Sequence, residues 1–102
     1  MIKINGERWR VRLVPPSHPI LTYKTGRPAF GCCDDISKTI FINQTLPLSQ
    51  IKKVLCHELV HAAMSSYNVD LTEDTEEIVA DIIATYGAEI IRLTNATYDK
   101  IK

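Results

Sequence analysis

Between Ser49 and Tyr67 the apolar residues recur at helical spacing, and in the middle of that run stands His57-Glu58-Leu59-Val60-His61. Residues four apart project from one face of an α-helix, so His57 and His61 can offer two imidazole nitrogens to one metal ion. Glu58 falls roughly 100° round the helix from His57, near enough to serve a water at that ion without being a ligand. Two ligands and one base within five residues are the ingredients of a zinc hydrolase site. Val54, Leu55, Leu59, Val60, Ala62 and Ala63 predict that the helix is largely buried and the histidines with it. A buried imidazole needs partners for its ring nitrogens, and a metal supplies one for each ring.

At 102 residues the chain has room for one domain with a single modest core, so residues 1–102 are read as one unit. Twelve basic and twelve acidic residues cancel, which removes any global field for nucleic acid or an anionic membrane. No apolar stretch approaches the length that a bilayer requires, and the first residues alternate polar and apolar at once, so a cytoplasmic protein is expected. Cys32, Cys33 and Cys56 fit free thiols: adjacent cysteines bond to each other only under strain, and the CxxC spacing of a thiolate metal site is missing.

Before the helix the pattern is that of a sheet. Ile2 and Ile4 alternate with polar residues, Asn5-Gly6 suits a type I′ turn, and Trp9, Val11 and Leu13 alternate with Arg8, Arg10 and Arg12, predicting a hairpin with one apolar face. Pro15 to about Pro28 reads as a surface loop containing His18 and Tyr23. Strands at 29–33 and 39–43 flank a polar turn, with Ile40 and Ile42 toward the core. If the second of these strands forms the sheet edge beside the helix, Phe41 and Asn43 belong to a strand that pairs with an extended peptide.

The helix is read as beginning at Ser49, a good N-cap, and a second follows the short connection at 68–71, capped by Thr72 or Asp74. Acidic residues load its first turn, as the helix dipole favours. Ile78, Ile82, Tyr86, Ile90 and Leu93 predict its buried stripe. So short a loop makes the helices antiparallel neighbours, and counting about 1.5 Å per residue brings Glu77 level with His61. Glu77 is the expected third ligand, with Glu73 and Glu76 as rivals. Asp81, four residues on, is expected to accept a hydrogen bond from a histidine's outer nitrogen. Charge at Glu73, Asp74 and Glu76 is otherwise explained by the dipole. The fold expected is α+β: a small, mainly antiparallel sheet of three or four strands on an antiparallel helix pair.

Val54-Leu55-Cys56-His57-Glu58-Leu59-Val60-His61-Ala62-Ala63 resembles the extended zincin motif, and Glu77-Ile78-Val79-Ala80-Asp81 resembles the ExxAD segment of gluzincins. With the strand Thr39–Asn43 before them, the two motifs are similar to the ImmA/IrrE metallopeptidases, many of them encoded by phages and mobile elements. The resemblance spans about residues 29–90. It implies a minimal zincin-like fold, Zn²⁺ held by His57, His61 and Glu77, Glu58 as catalytic base, Asp81 behind a histidine, and a protein substrate such as a transcriptional repressor. The chain lacks room for the DNA-binding domain that some relatives carry.

The chemistry expected is hydrolysis of a peptide bond, with Glu58 taking a proton from zinc-activated water and passing it to the leaving amine. An oxyanion donor is sought among His18, Tyr23, Tyr67 and Tyr86, and the sequence does not choose. The competing reading is a catalytically silent, zinc-stabilised protein-binding module. It is disfavoured by Glu58, since a structural site has no use for a base. Nucleic-acid binding through the three arginines is weaker still, for want of accompanying lysines and aromatics.

Overall fold

A computed structural model describes residues 1–22 and 29–102. Four strands, β1 (Ile2–Ile4), β2 (Glu7–Val14), β3 (Gly31–Asp34) and β4 (Thr39–Asn43), precede two helices, α1 (Leu48–Ser66) and α2 (Glu73–Ile101). The strands form one mixed sheet in the order β1-β2-β4-β3. β1 pairs antiparallel with β2, and β3 with β4, while β2 and β4 run parallel from Arg10↔Thr39 to Val14↔Asn43. The architecture is the α+β arrangement that the pattern predicts.

Turn chemistry sets the two hairpins. Asn5 and Gly6 both have positive φ, 49° and 79°, as a type I′ turn demands. A Cβ on Gly6 would meet nothing within 4 Å, so backbone conformation alone calls for glycine there. Between β3 and β4, Asp34 accepts hydrogen bonds from the Ile36 amide and the Ser37 hydroxyl, and Lys38 takes the left-handed residue at φ 53°.

The sheet carries a different core on each face. Trp9, Ile40 and Ile42 are fully buried against Ala62, with Ile51, Val54, Leu55 and Leu59 of α1 packed round them. On the other face Phe41 and Val14 pack with Leu21, from the 3₁₀ turn Pro19–Leu21, and with Ile20. The segment read as a plain surface loop therefore anchors a second, smaller core through Leu21. Of the predicted apolar face of β2, only Trp9 is buried; Val11 and Leu13 stay largely exposed. The cause is the length of β1, which reaches no further along β2 than Trp9, opposite Ile2, and leaves the outer edge of β2 bare from Arg10 onward.

α1 is clamped at its end. The Trp9 indole donates to the Ser66 hydroxyl at 2.8 Å, and the turn residue Asn5 donates to the Ser66 carbonyl at 2.9 Å. Asn68, at φ 56°, then closes a Schellman motif, with Val69 N–H on Met64 O and Asn68 N–H on Ser65 O. At the start Pro47, not Ser49, is the N-cap, and its carbonyl receives the Gln50 and Ile51 amides. Thr72 caps α2 by accepting from Thr75 N–H.

The predicted buried stripe of α2 is overturned. Ile78, Ile82, Tyr86, Ile90 and Leu93 are between 48% and 59% exposed. α2 turns toward α1 the small residue Ala80, fully buried, together with its carboxylates, because the space between the helices belongs to the histidines. Its branched side chains are left on the outside. No helix among the described residues is long and apolar enough to cross a membrane.

Candidate metal centre

Helical spacing brings His57 and His61 to the side of α1 that faces α2, with their rings 4.9 Å apart in an edge-to-face arrangement. Their Nε2 atoms are 3.2 Å from each other. Glu77 reaches across from α2, with Oε2 3.3 Å from His57 Nε2 and Oε1 2.6 Å from His61 Nε2. The three ligand atoms lie within 4.8 Å of one another, a group able to hold a metal ion.

Behind each ring stands a carboxylate. Asp81 Oδ1 lies 2.9 Å from His57 Nδ1, and Glu76 Oε2 lies 2.8 Å from His61 Nδ1. A carboxylate only accepts, so each Nδ1 carries the proton and donates. Each neutral ring then has its lone pair on Nε2, and both lone pairs face each other and the Glu77 carboxylate. With both rings neutral these three acceptors repel one another, and a cation at their centre turns that repulsion into attraction. The donor set of two imidazoles and one carboxylate fits a divalent ion with an open position.

Asp81 is where the sequence expects it. Glu76 is not: assigned to the helix dipole or to a rival ligand role, it is the acceptor for His61. Its signal was the second histidine itself, whose outer nitrogen also needs an acceptor, and a residue adjacent to Glu77 on the helix could supply one.

Glu58 is 7% exposed, next to both histidines. Burial pushes its carboxyl above the usual range, against the pull of His61 and His57. For His61 burial works downward, but the Glu76 hydrogen bond and the surrounding carboxylates outweigh it and raise the ring above 6.5. The histidines are less buried than the flanking residues predict, with side chains 19% and 15% exposed, because they border a cleft.

That cleft consists of two cavities meeting at His57, about 330 and 680 Å³, within the ~300–1,000 Å³ usual for ligand pockets. Gly31, His57, Glu58 and Glu77 line both. One extends past Phe30, Lys53 and Val54; the other passes Cys33, Asp35 and Ser65. Their shared wall is β3, an edge strand, since the sheet ends there.

This corrects the expected substrate strand. β4 lies between β2 and β3, paired on both sides. Phe41 and Asn43 are buried, and the Asn43 amide donates to Phe30 O while its side chain accepts from Thr45. Among the described residues, the unpaired edge beside α1 belongs to β3. The glycine inside that short strand was the available sign, because an interior glycine often marks close approach of another element.

Of the candidates for an oxyanion donor, the three among the described residues, His18, Tyr67 and Tyr86, are not brought to the cleft. His18 stacks on Phe41 with centroids 5.7 Å apart and accepts from the Ile20 amide, on the sheet face turned away from α1. Tyr67 is the exposed C-cap of α1, and Tyr86 points outward from α2. None of these three lines either cavity. Tyr23 lies outside the described residues.

The family model Peptidase_M78, the IrrE N-terminal-like domain, matches residues 17–91. The chain belongs to this family. Membership gives the M78 chain a peptidase-type function at family level and agrees with a metal-binding group at His57, His61 and Glu77. The matched span runs from the 3₁₀ turn into the middle of α2, so it contains both cleft walls and all five residues of the histidine–carboxylate cluster. No curated protein and no solved structure matches the M78 chain.

Proposed function

We propose that this chain is a zinc-dependent endopeptidase acting on a protein substrate, with His57, His61 and Glu77 as the metal ligands and Glu58 as the base. The single observation that carries the reading is the convergence of three acceptor atoms whose outer partners fix both histidine tautomers. Zinc is the ion of choice for two imidazoles and one carboxylate. When bound, it supplies Lewis acidity, acidifying water and polarising a carbonyl.

The chain's own residues do the rest. An extended peptide adds to the free edge of β3, which holds its backbone across the cleft at Gly31 beside Glu58. Glu58, desolvated and raised, takes a proton from the attacking water and returns it to the amine that leaves. Asp81 and Glu76 keep the rings oriented. A regulatory protein such as a repressor, as the ImmA/IrrE resemblance implies, is the substrate to try first.

A silent binding module accounts less well for a carboxylate buried at the junction of two open cavities, where no structural ion needs it. Glu58→Gln separates the two: it is expected to keep the metal and lose roughly 10²–10⁴-fold or more of the hydrolysis of an unfolded protein substrate. Undiminished hydrolysis by that variant contradicts the proposal.

A further inference from the structure

α2 is ten residues longer than α1, and every residue from Ala88 to Lys102 is exposed. A helix of that length without tertiary packing is marginal in water. This one carries a continuous apolar stripe of Ile82, Ile83, Tyr86, Ile90, Leu93 and Ile101, each between 40% and 75% exposed, with Ile78, Ile91 and Tyr98 on its borders. The residues Ile90, Leu93, Thr94, Thr97 and Tyr98 frame a groove on the helix surface.

We propose that the stripe is covered by the same stripe of a second copy of the chain, packed antiparallel. Three observations select that occupant. Taking about 200 Å² as an upper figure for a whole side chain, the exposed parts of the six stripe residues amount to on the order of 650 Å², and the three residues on its borders add about 350 Å². A standard interface takes about 800 Å² from each partner.

Next, Ile83, Tyr86, Ile90, Leu93 and Thr97 follow one another at spacings of three and four, the a and d positions of a helix-pairing seam, with no charge among them to oppose a copy of itself. Finally, the charge along α2 is polar from end to end. Glu73, Asp74, Glu76, Glu77 and Asp81 fill its first turns without a base, while from Arg92 onward Lys100 and Lys102 join that arginine against Asp99 alone. An antiparallel pair sets the basic end of each helix toward the acidic end of the other and opposes their dipoles. A parallel pair sets like ends together.

The proposal is independent of the hydrolytic reading, since the stripe lies away from the cleft. Sedimentation equilibrium of the untagged chain at high micromolar concentration tests it. The mass expected is twice the 11.5 kDa of one chain, falling to a single chain in the double variant Ile90→Asp/Leu93→Asp. Fluorescence of Trp9, buried in the sheet, should be the same in both and certifies the fold. Tyr98→Cys, compared with the unsubstituted chain under oxidation, should form no cross-link to its own counterpart, which an antiparallel pair holds at a distance. A single-chain mass for the wild type, leaving the stripe to some other protein, would overturn the proposal. So would a double variant that remains a dimer, or an efficient Tyr98→Cys cross-link within the dimer.

Discussion

Gly31 lies so close to Glu58 that a Cβ on residue 31 would stand 3.2 Å from the Glu58 Cγ, and 2.6 Å from Val54 Cγ1. β3 and α1 are therefore fitted to each other through an absent side chain. Gly31→Ala should drive Val54 and Glu58 away, costing about 1–3 kcal/mol as overpacked cores do. Because Glu58 moves, hydrolysis should fall by more than metal binding. A thermal melt and a metal titration on the same variant check this, and an alanine tolerated without loss in either would refute it.

The carboxylates behind the rings should matter for the metal more than their exposure suggests. Asp81→Ala and Glu76→Ala each release one imidazole from its orientation and tautomer. Each is expected to weaken metal binding about 10- to 100-fold, read by competition with a chromophoric chelator. Glu73→Ala, which removes a first-turn charge of α2 bonded to neither ring, is the control and should change affinity little.

The pH dependence follows from Glu58. Its carboxyl is raised by burial, and only the ionised form accepts a proton. In the metal-free chain Glu58 should therefore take up its proton as pH falls through a value above the 4.5 of an ordinary glutamate. Carboxyl carbon NMR of the metal-free protein, with Glu58→Gln to assign the signal, measures it. Protonation only at or below the ordinary value would contradict the burial of this carboxyl.

Cys33 gives a test of the cleft wall that needs no substrate. Burial, chiefly, and the nearby Glu58 push its thiol well above 9.0. The reactive thiolate is thus suppressed in the folded chain, and alkylation by iodoacetamide at pH 8 should be much slower at Cys33 than in urea. Peptide mass spectrometry resolves the rates of Cys32, Cys33 and Cys56 individually.

How much of this was legible in the sequence depended on whether the signal was local. The His57–His61 face, the Asn5-Gly6 turn and the Ile40/Ile42 alternation each follow from a short-range period or a turn residue's φ. Asp81 and Glu77 follow from counting along two helices joined by a short loop. What failed needed knowledge of which element lies beside which. Phe41 and Asn43 alternate as an edge strand would, yet the parallel pairing of β2 with β4 puts them inside the sheet. Ile82, Tyr86 and Ile90 have core periodicity, but α2 spends its inward face on Ala80 and the carboxylates that meet His57 and His61. Glu76 looked like dipole decoration because only the position of His61 reveals it as a partner.

The central claim is that Glu77 completes a three-ligand site with His57 and His61. Elemental analysis of untagged protein, wild type beside Glu77→Ala, tests it most directly. The prediction is about one zinc per wild-type chain, and a large loss in a variant that stays folded by the Trp9 signal. Folded wild-type protein without metal, never exposed to chelator, or a Glu77→Ala variant that keeps its zinc, would contradict it.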